Sequence, residues 1–245
     1  MTKAQYLVSL AWHYVVRMLG LEKVLIGYAC RRSVAYLRRV GLGSLLEKDI
    51  SYGVPILELP DRTKVVDLAR LHRLVASGRF RSIREYGAGT STIVMAHATA
   101  KLSTNVKFII IEESAEWANF VSGHFQEIGC EVRFVHSEYM VSAGNIAGEV
   151  DLHLKDAAPE VPDFIYVDGP SLAGCTGDIR SMTLADGWAE PINVDFHSVV
   201  HTMRKGSVVL FDDRPASYWA LQRAIRRPYI AWSSSLFDSN KVTLL

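Results

Sequence analysis

Cysteine is scarce. Cys30, Cys130 and Cys175 are the only three in 245 residues, too widely spaced and odd in number for a disulfide framework or a zinc pattern. That usage points to a reducing compartment, with the cytoplasm as the default. No apolar run is long enough to span a bilayer: Tyr6 to Leu19 is interrupted by His13 and Arg17 and followed by Glu22 and Lys23, short of the roughly 20 apolar residues a crossing needs. Internal repeats and low-complexity tracts are also missing. With 49% apolar and 22% charged residues, the composition excludes a disordered tail or a collagen. At about 150 residues per domain the length fits one α/β domain with an appendage, or two small domains. Net charge is nearly absent too, at +1, but this conceals an asymmetry. Residues 1–48 hold 8 Lys/Arg and 2 Asp/Glu, net +6, leaving 19 minus 24, net −5, for the rest.

In residues 4–19, Leu7, Leu10, Ala11, Tyr14 and Met18 recur at spacings of three and four, the stripe of an amphipathic helix. A second helix is expected from Glu22 to Arg39, carrying Arg31, Arg32, Arg38 and Arg39. Gly41, Gly43, Gly53, Pro55 and Pro60 then break the chain into a linker laid over the next unit. After Asp61, a plausible helix cap, Val65 to Val75 read as a helix ending at Ser77-Gly78. The division is therefore a helical extension over 1–50, a linker and leading helix over 51–79, and the main domain over 80–245.

From Phe80 onward, β-like runs alternate with helical stretches. The runs are Arg81 to Glu85, Val106 to Glu112, Cys130 to Val135, Phe164 to Asp168 and Val208 to Asp212. Helices are expected over Ser91 to Leu102, Ser114 to Ile128, Val194 to Met203 and Ala216 to Arg226. Strands separated by helix-length segments imply right-handed crossovers and a parallel, doubly wound sheet covered on both faces. The first run is polar for a central strand, with Arg81 and Arg84 beside Ile83. Tyr229 to Ser233 and Lys241 to Leu245 flank a turn-rich Phe237-Asp238-Ser239-Asn240, an antiparallel hairpin at the sheet edge.

In such a sheet ligands bind beyond the carboxyl ends of the strands. The first run ends in Glu85-Tyr86-Gly87-Ala88-Gly89-Thr90-Ser91-Thr92, a glycine turn opening a helix whose free N–H groups face a ligand. The second ends at Glu112, 23 residues after Gly89, where an acid can accept hydrogen bonds from two ribose hydroxyls. Turn and acid together read as a site for an adenosine-type ligand. Thr92 stands where the dinucleotide fingerprint has its third glycine, which disfavours NAD and FAD. Glu85 would repel a pyrophosphate but suits a ligand carrying an ammonium group, as S-adenosylmethionine (SAM) does.

These residues resemble the class I SAM-dependent methyltransferases. The likeness covers residues 80–245 and rests on the segment from Glu85 to Thr92, on Ile109-Ile110-Ile111-Glu112 with Trp117 following, on Phe164-Ile165-Tyr166-Val167-Asp168-Gly169-Pro170, and on Gly206-Ser207-Val208-Val209-Leu210-Phe211-Asp212-Asp213. The resemblance implies an α/β, Rossmann-like, mostly parallel seven-stranded sheet with an antiparallel last strand, preceded here by the helical extension. It implies that Gly87 and Gly89, with Thr90 and Ser91 after them, bind the cofactor beneath its methionine part, that Glu85 organises the amino group, and that Glu112 holds the ribose. Ser137 or Glu138 would lie near the adenine, and Asp168 would touch the cofactor. Glu113 reads as a solvated acid.

Asp168, Asp212 and Asp213 would meet at one rim, where three carboxylates call for a cation such as magnesium (Mg2+). That set resembles the metal triad of catechol-type and sugar O-methyltransferases, in which the ion favours the alkoxide of the acceptor, and makes Asp168 and Asp212 the candidate catalytic residues. The sequence departs from that pattern. Asp213 stands in place of the usual Asn, Ser171 follows the Val167-Asp168-Gly169-Pro170 turn without a lysine base, and Gly169-Pro170 replaces the aspartate and histidine of related sugar enzymes. The other reading is that Asp168 only touches the cofactor while Asp212-Asp213 cap the next helix.

His197 and His201 stand four apart without a zincin motif and read as surface residues. The loop Ser171 to Pro191, with Cys175, Asp178, Arg180, Asp186 and Trp188, is long enough to bind an acceptor or to be a mere insertion. Arg214 would steer an anionic acceptor or pair with Asp213. The basic front end fits a lid or homodimerisation arm, or an interfacial membrane helix that would make the protein membrane-peripheral; nucleic acid is not expected, given few aromatics among the basic residues and an acidic body. The expected function is O-methylation of a small-molecule or sugar/glycan hydroxyl, with or without a divalent metal. The alternative is a non-catalytic binding or membrane-associated scaffold.

Overall fold

The computed structural model describes residues 21–59, 61, 63–125, 132–137, 139–143, 149–154, 160–169, 190–212, 214–234 and 239–245, with backbone alone at 22, 139–143, 149–150, 152–154, 190–191, 234 and 239. The expected first helix, Cys130, Glu138, Asp213 and the 171–189 part of the long loop lie outside the described residues.

The described part opens with α1 (Glu22–Val40), α2 (Gly43–Glu47), a 3-10 turn (Ile56–Glu58) and α3 (Lys64–Ala76). Then come β1 (Ser82–Tyr86), α4 (Thr90–Ala100), β2 (Lys107–Glu112), α5 (Ala115–Gly123), β3 (Val132–His136), β4 (Tyr139–Ala143), β5 (Glu149–Leu154) and β6 (Phe164–Val167). It closes with β7 (Glu190–Asn193), α6 (Asp195–Val199), β8 (Val208–Asp212), α7 (Pro215–Ala224), β9 (Tyr229–Ser234) and β10 (Ser239–Leu244). The main sheet has seven strands in the order β3-β2-β1-β6-β8-β10-β9. Its first five strands pair in parallel, and β10 runs antiparallel to both β8 and β9. This is the doubly wound sheet with a reversed last strand that the resemblance implied.

The apolar strand runs divide by parity, as a sheet buried on both faces requires. Ile109, Ile111, Ile165, Val167, Val209 and Phe211 pack on one face with Phe196, Tyr218 and Leu221. Phe108, Ile110, Phe164, Tyr166, Val208 and Leu210 pack on the other with Ile93, Met95 and Leu71. Arg84 in polar β1 is 3% exposed; its guanidinium donates to the Tyr86 hydroxyl at 3.4 Å and to the Glu160 carbonyl oxygen, so the charge is hydrogen-bonded rather than solvated.

α4 is buried on nearly all sides, the mark of a helix with structure over its outer face as well. That cover is a third core, in which Leu37, Leu42, Leu46, Ile56, Leu59, Val65, Leu68 and Ala69 enclose Val94 of α4. The stretch read as linker thus contributes four buried apolar side chains to it. Polar contacts cross the same seam. The Tyr36 hydroxyl lies 2.7 Å from His72 Nδ1, and His72 Nε2 lies 3.1 Å from His97 Nδ1. Burial, with His97, Lys101 and Arg73 close by, lowers the His72 pKa to about 4. Asp61 differs from its expected role: Thr63 stands at the cap of α3, and Asp61 instead accepts from Thr63 N and Oγ1 at 2.8 and 2.7 Å.

A second sheet, β4-β5-β7, was not anticipated. β4 and β5 pair antiparallel, and β7, whose first residues fall at the end of the expected long loop, pairs parallel with β5. α6 ends at Val199, so His197 and His201 do not share one helix as their spacing suggested. Among the described residues, no helix is long and apolar enough to cross a membrane.

Candidate active site at the carboxyl rim of the sheet

β1 delivers Gly87 between its two neighbours. Gly87 N donates to Ile111 O of β2 at 2.9 Å, and Tyr86 O accepts from Asp168 N and Gly169 N at 3.0 and 2.7 Å. Gly87 has φ +85°, and a Cβ there would lie 2.9 Å from Gly169 Cα, so conformation and space both demand glycine. The converse holds at Gly169, where a Cβ would stand 2.8 Å from Gly87 Cα. Gly169, which the sequence offered within the Phe164 to Pro170 segment and as a departure from related sugar enzymes, here makes room for the turn. Thr92, which displaces the third fingerprint glycine, accepts from Gly89 N through Oγ1 at 2.8 Å and so closes the turn onto the start of α4.

The second observation is the position of Glu112. Its Oε2 accepts from Ala88 N at 2.8 Å and its Oε1 from Ser114 N at 2.9 Å. The acid at the end of β2 therefore meets the glycine turn directly. Burial, with Glu113 adjacent, raises its pKa to about 7. Trp117 was quoted in the sequence without a role; its indole Nε1 donates to Ala88 O at 2.8 Å, and its ring stacks on Phe120 at 5.0 Å. Both polar groups of the Ala88 peptide are thereby held by β2 and α5.

Glu85 is fully buried and reaches Ser91 Oγ at 2.6 Å, with its second oxygen, Oε2, lacking a hydrogen-bond partner. Burial, with Asp168 and Glu112 nearby, pushes its carboxyl well above the ordinary range. It stands behind the turn rather than on the cavity wall. Ser137 is likewise buried, its N–H donating to Glu112 O at 3.2 Å, and is off the wall.

The turn opens on a cavity of about 890 Å³ lined by Gly87 to Ser91, Glu112 to Ser114, Trp117, Asp168, Gly169, Asp212 and Arg214. Asp168 and Asp212 thus share a rim, as their strand ends predicted. Tyr166, absent from the sequence-level candidates, donates from its hydroxyl to Asp212 Oδ2 at 2.8 Å. Burial and the nearby carboxylates of Asp212 and Asp168 hold its phenol well above the usual range, so it remains a donor. Arg214 donates from Nε at 3.1 Å, and from Nη2, to the Asp168 carbonyl oxygen; Asp213, its expected partner, lies outside the described residues.

The opposite wall comes from the N-terminal part: Ser51, Tyr52, Leu59, Asp61, Lys64 and Leu68. Asp49 anchors it. This wholly buried carboxylate accepts from Ser51 N, Tyr52 N and Thr90 Oγ1 at 2.9, 3.2 and 2.7 Å and lies 3.4 Å from Lys64 Nζ. A polar Asp-Ile-Ser-Tyr-Gly turn inside an apolar cover was the available signal for this wall, since a buried acid needs partners.

The described residues contain no group of three His, Cys, Asp or Glu side chains placed to hold a metal. Asp212 already accepts from Tyr166, the Arg214 guanidinium lies against the Asp168 main chain, and the expected third ligand, Asp213, is outside the described residues. Of the three expected ligands, only Asp168 and Asp212 are described on the cavity wall.

No family model and no curated protein matches the chain. Solved structures similar to it include an SAH-bound methyltransferase of Podospora anserina, at 15% identity and TM-score 0.45 over 77% of this chain and 83% of that one. Others are the O-methyltransferase TomG of Streptomyces achromogenes in complex with SAM, at 16% and 0.40 over 89% of each chain, and an O-methyltransferase of Bacillus cereus in complex with SAH, at 15% and 0.41 over 87% and 90%. Likeness at that level carries nothing about chemistry, which has to be read from the site's own side chains.

Proposed function

We propose that the protein is a SAM-dependent methyltransferase acting on an oxygen nucleophile, a hydroxyl of a small molecule or of a sugar or glycan. The observation that carries this is the contact between Glu112 and the main chain of the glycine turn beside a cavity of about 890 Å³, within the range of small-molecule sites. With Ala88 N and Ser114 N each on one carboxylate oxygen, the remaining lone pairs of Glu112 are available to ribose hydroxyls. Trp117 supplies an aromatic wall beside it.

The charge of the lining favours a cationic over a pyrophosphate ligand. Asp61, Glu112, Glu113, Asp168 and Asp212 stand against Lys64 and Arg214, and an excess of carboxylates at close quarters repels phosphate. SAM would supply a methyl group on a positively charged sulfur. Asp168 and Asp212 would stabilise that charge by proximity, and Asp212, held in place by Tyr166, would take the acceptor hydroxyl's proton as oxygen bonds to the methyl carbon and the carbon–sulfur electron pair returns to sulfur. No step is routed through a metal.

Titration calorimetry of the full chain with SAM tests the reading. Binding is expected, and it is expected to be the same with and without magnesium. Failure to bind SAM would overturn the proposal; binding that requires magnesium would overturn the metal-free form of it.

A further inference from the structure

Among the described residues, the outer side of α1 is exposed. Ser33 and Leu37 are buried, with Ala29, Cys30, Val34, Tyr36 and Val40 packed against the third core, so that side of the helix faces the body. The exposed remainder is divided along its length. At the N-terminal end Leu21, Val24, Leu25 and Tyr28 are 42%, 62%, 37% and 53% exposed, four large apolar side chains within eight residues. Beyond them Arg31, Arg32, Arg38 and Arg39 are exposed, and Lys23 adds a fifth cation at the near end. From Lys23 to Val40 the sequence has no acidic residue. None of these five cations is ion-paired to a described carboxylate. The contacts they do make are with their own helix: Arg32 lies 5.6 Å above the Tyr28 ring and Arg39 5.7 Å from that of Tyr36.

We propose that α1 docks the protein onto an anionic lipid surface, with Val24, Leu25 and Tyr28 entering the headgroup region and Arg31, Arg32, Arg38 and Arg39 lying against lipid phosphates. Two properties of the same helix select this partner. Like charges that no described carboxylate pairs, set along a surface helix, are complementary to a polyanion. A patch of large apolar side chains beside them is what an interfacial helix buries in a bilayer and what a nucleic-acid backbone leaves exposed. The charge is also concentrated where the helix is, since residues 1–48 carry net +6 and the rest of the chain net −5, so the body is repelled by the surface that attracts α1 and the docked orientation is set by charge.

Co-sedimentation of the full chain with vesicles tests this, using phosphatidylcholine alone and phosphatidylcholine mixed with phosphatidylglycerol. Binding is expected only to the mixed vesicles, weakening as salt is raised. The variant R31Q/R32Q/R38Q/R39Q is expected to lose about fivefold in partitioning per charge removed, and R31K/R32K/R38K/R39K to retain most of it, which separates charge from damage to the fold. V24S/Y28S is expected to weaken binding to mixed vesicles while the protein stays in its wild-type association state by light scattering. Equal binding to both vesicle types, no binding to either, or wild-type binding by the glutamine variant would overturn the proposal. So would a dimer that V24S/Y28S converts to monomer, which would assign the face to a second copy, or duplex DNA binding without vesicle binding, which would assign it to nucleic acid.

Discussion

The two ends of the cavity are held by different means. At the glycine-turn end the fixed groups are main chain: Ala88 N and Ser114 N on Glu112, Ala88 O on Trp117, and Gly87 pressed on Gly169. At the acid end they are side chains: the Tyr166 hydroxyl on Asp212 and the Arg214 guanidinium on the Asp168 carbonyl. A backbone donor loses no rotamer freedom when it binds, so the first end is formed before any ligand arrives, whereas the second is adjustable by single side-chain changes. Under the proposed function, cofactor recognition would belong at the first end and acceptor chemistry at the second.

The sharpest way to break this contrast is Gly87→Ala. Positive φ costs a non-glycine residue about 1–2 kcal/mol, and forcing a Cβ to 2.9 Å from Gly169 adds overpacking of about 1–3 kcal/mol. Chemical denaturation should show a loss near the sum of these, with SAM binding abolished; a variant of wild-type stability would mean that the turn is not rigid.

Glu112→Gln comes next. Hydrogen bonds to a charged group contribute about 1.5–3 kcal/mol, so SAM affinity above neutral pH should fall roughly 10- to 100-fold by calorimetry. Because burial raises this carboxyl from 4.5 to about 7, it is mostly protonated in the folded protein below about pH 7 and ionised above. Wild-type affinity should therefore rise with pH through that point, and the variant's should be flat. The linkage sign for stability is the opposite: the folded chain binds the extra proton between 4.5 and about 7, so this group's contribution to stability declines as pH rises across that window.

Tyr166→Phe should have the smallest effect on binding and so sharpens the comparison. Removing one hydroxyl donor costs about 1 kcal/mol, or about 2–4 °C in thermal midpoint for a chain of this size. SAM affinity should stay within about twofold of wild type while kcat for methyl transfer falls, since only the acid end is loosened. An equal loss in affinity would show that the two ends are not separable.

Much of the first end was legible in the sequence because its parts are local. A glycine turn between a strand and a helix has few alternatives, and an acid closing the next parallel strand must arrive beside it; Gly87 and Glu112 could be found that way. Trp117 and Tyr166 were in quoted segments, but their roles depend on which way a side chain points from α5 or β6, and periodicity says nothing of that. Ser51, Tyr52 and Lys64 were less accessible still. Ser51 and Tyr52 sit in a stretch whose Gly and Pro content reads as linker, Lys64 opens the helix after it, and their place on the cavity wall follows from Asp49 reaching Thr90, 41 positions away. Glu85 shows a further limit: that its carboxyl is wholly buried behind the turn, and pushed upward in pKa by that burial, depends on packing that no local pattern carries.

By itself the amino-acid order determined the alternation of strands and helices, the reversed terminal hairpin and the pairing of a glycine turn with an acid, because these follow from short-range periodicity and backbone sterics. Tertiary structure alone decided that the N-terminal segment walls the cavity, that Asp212 is gripped by Tyr166, and which charges survive burial. Those outcomes depend on distances between residues far apart in the chain and on the loss of water around them, and neither quantity is encoded in any local pattern.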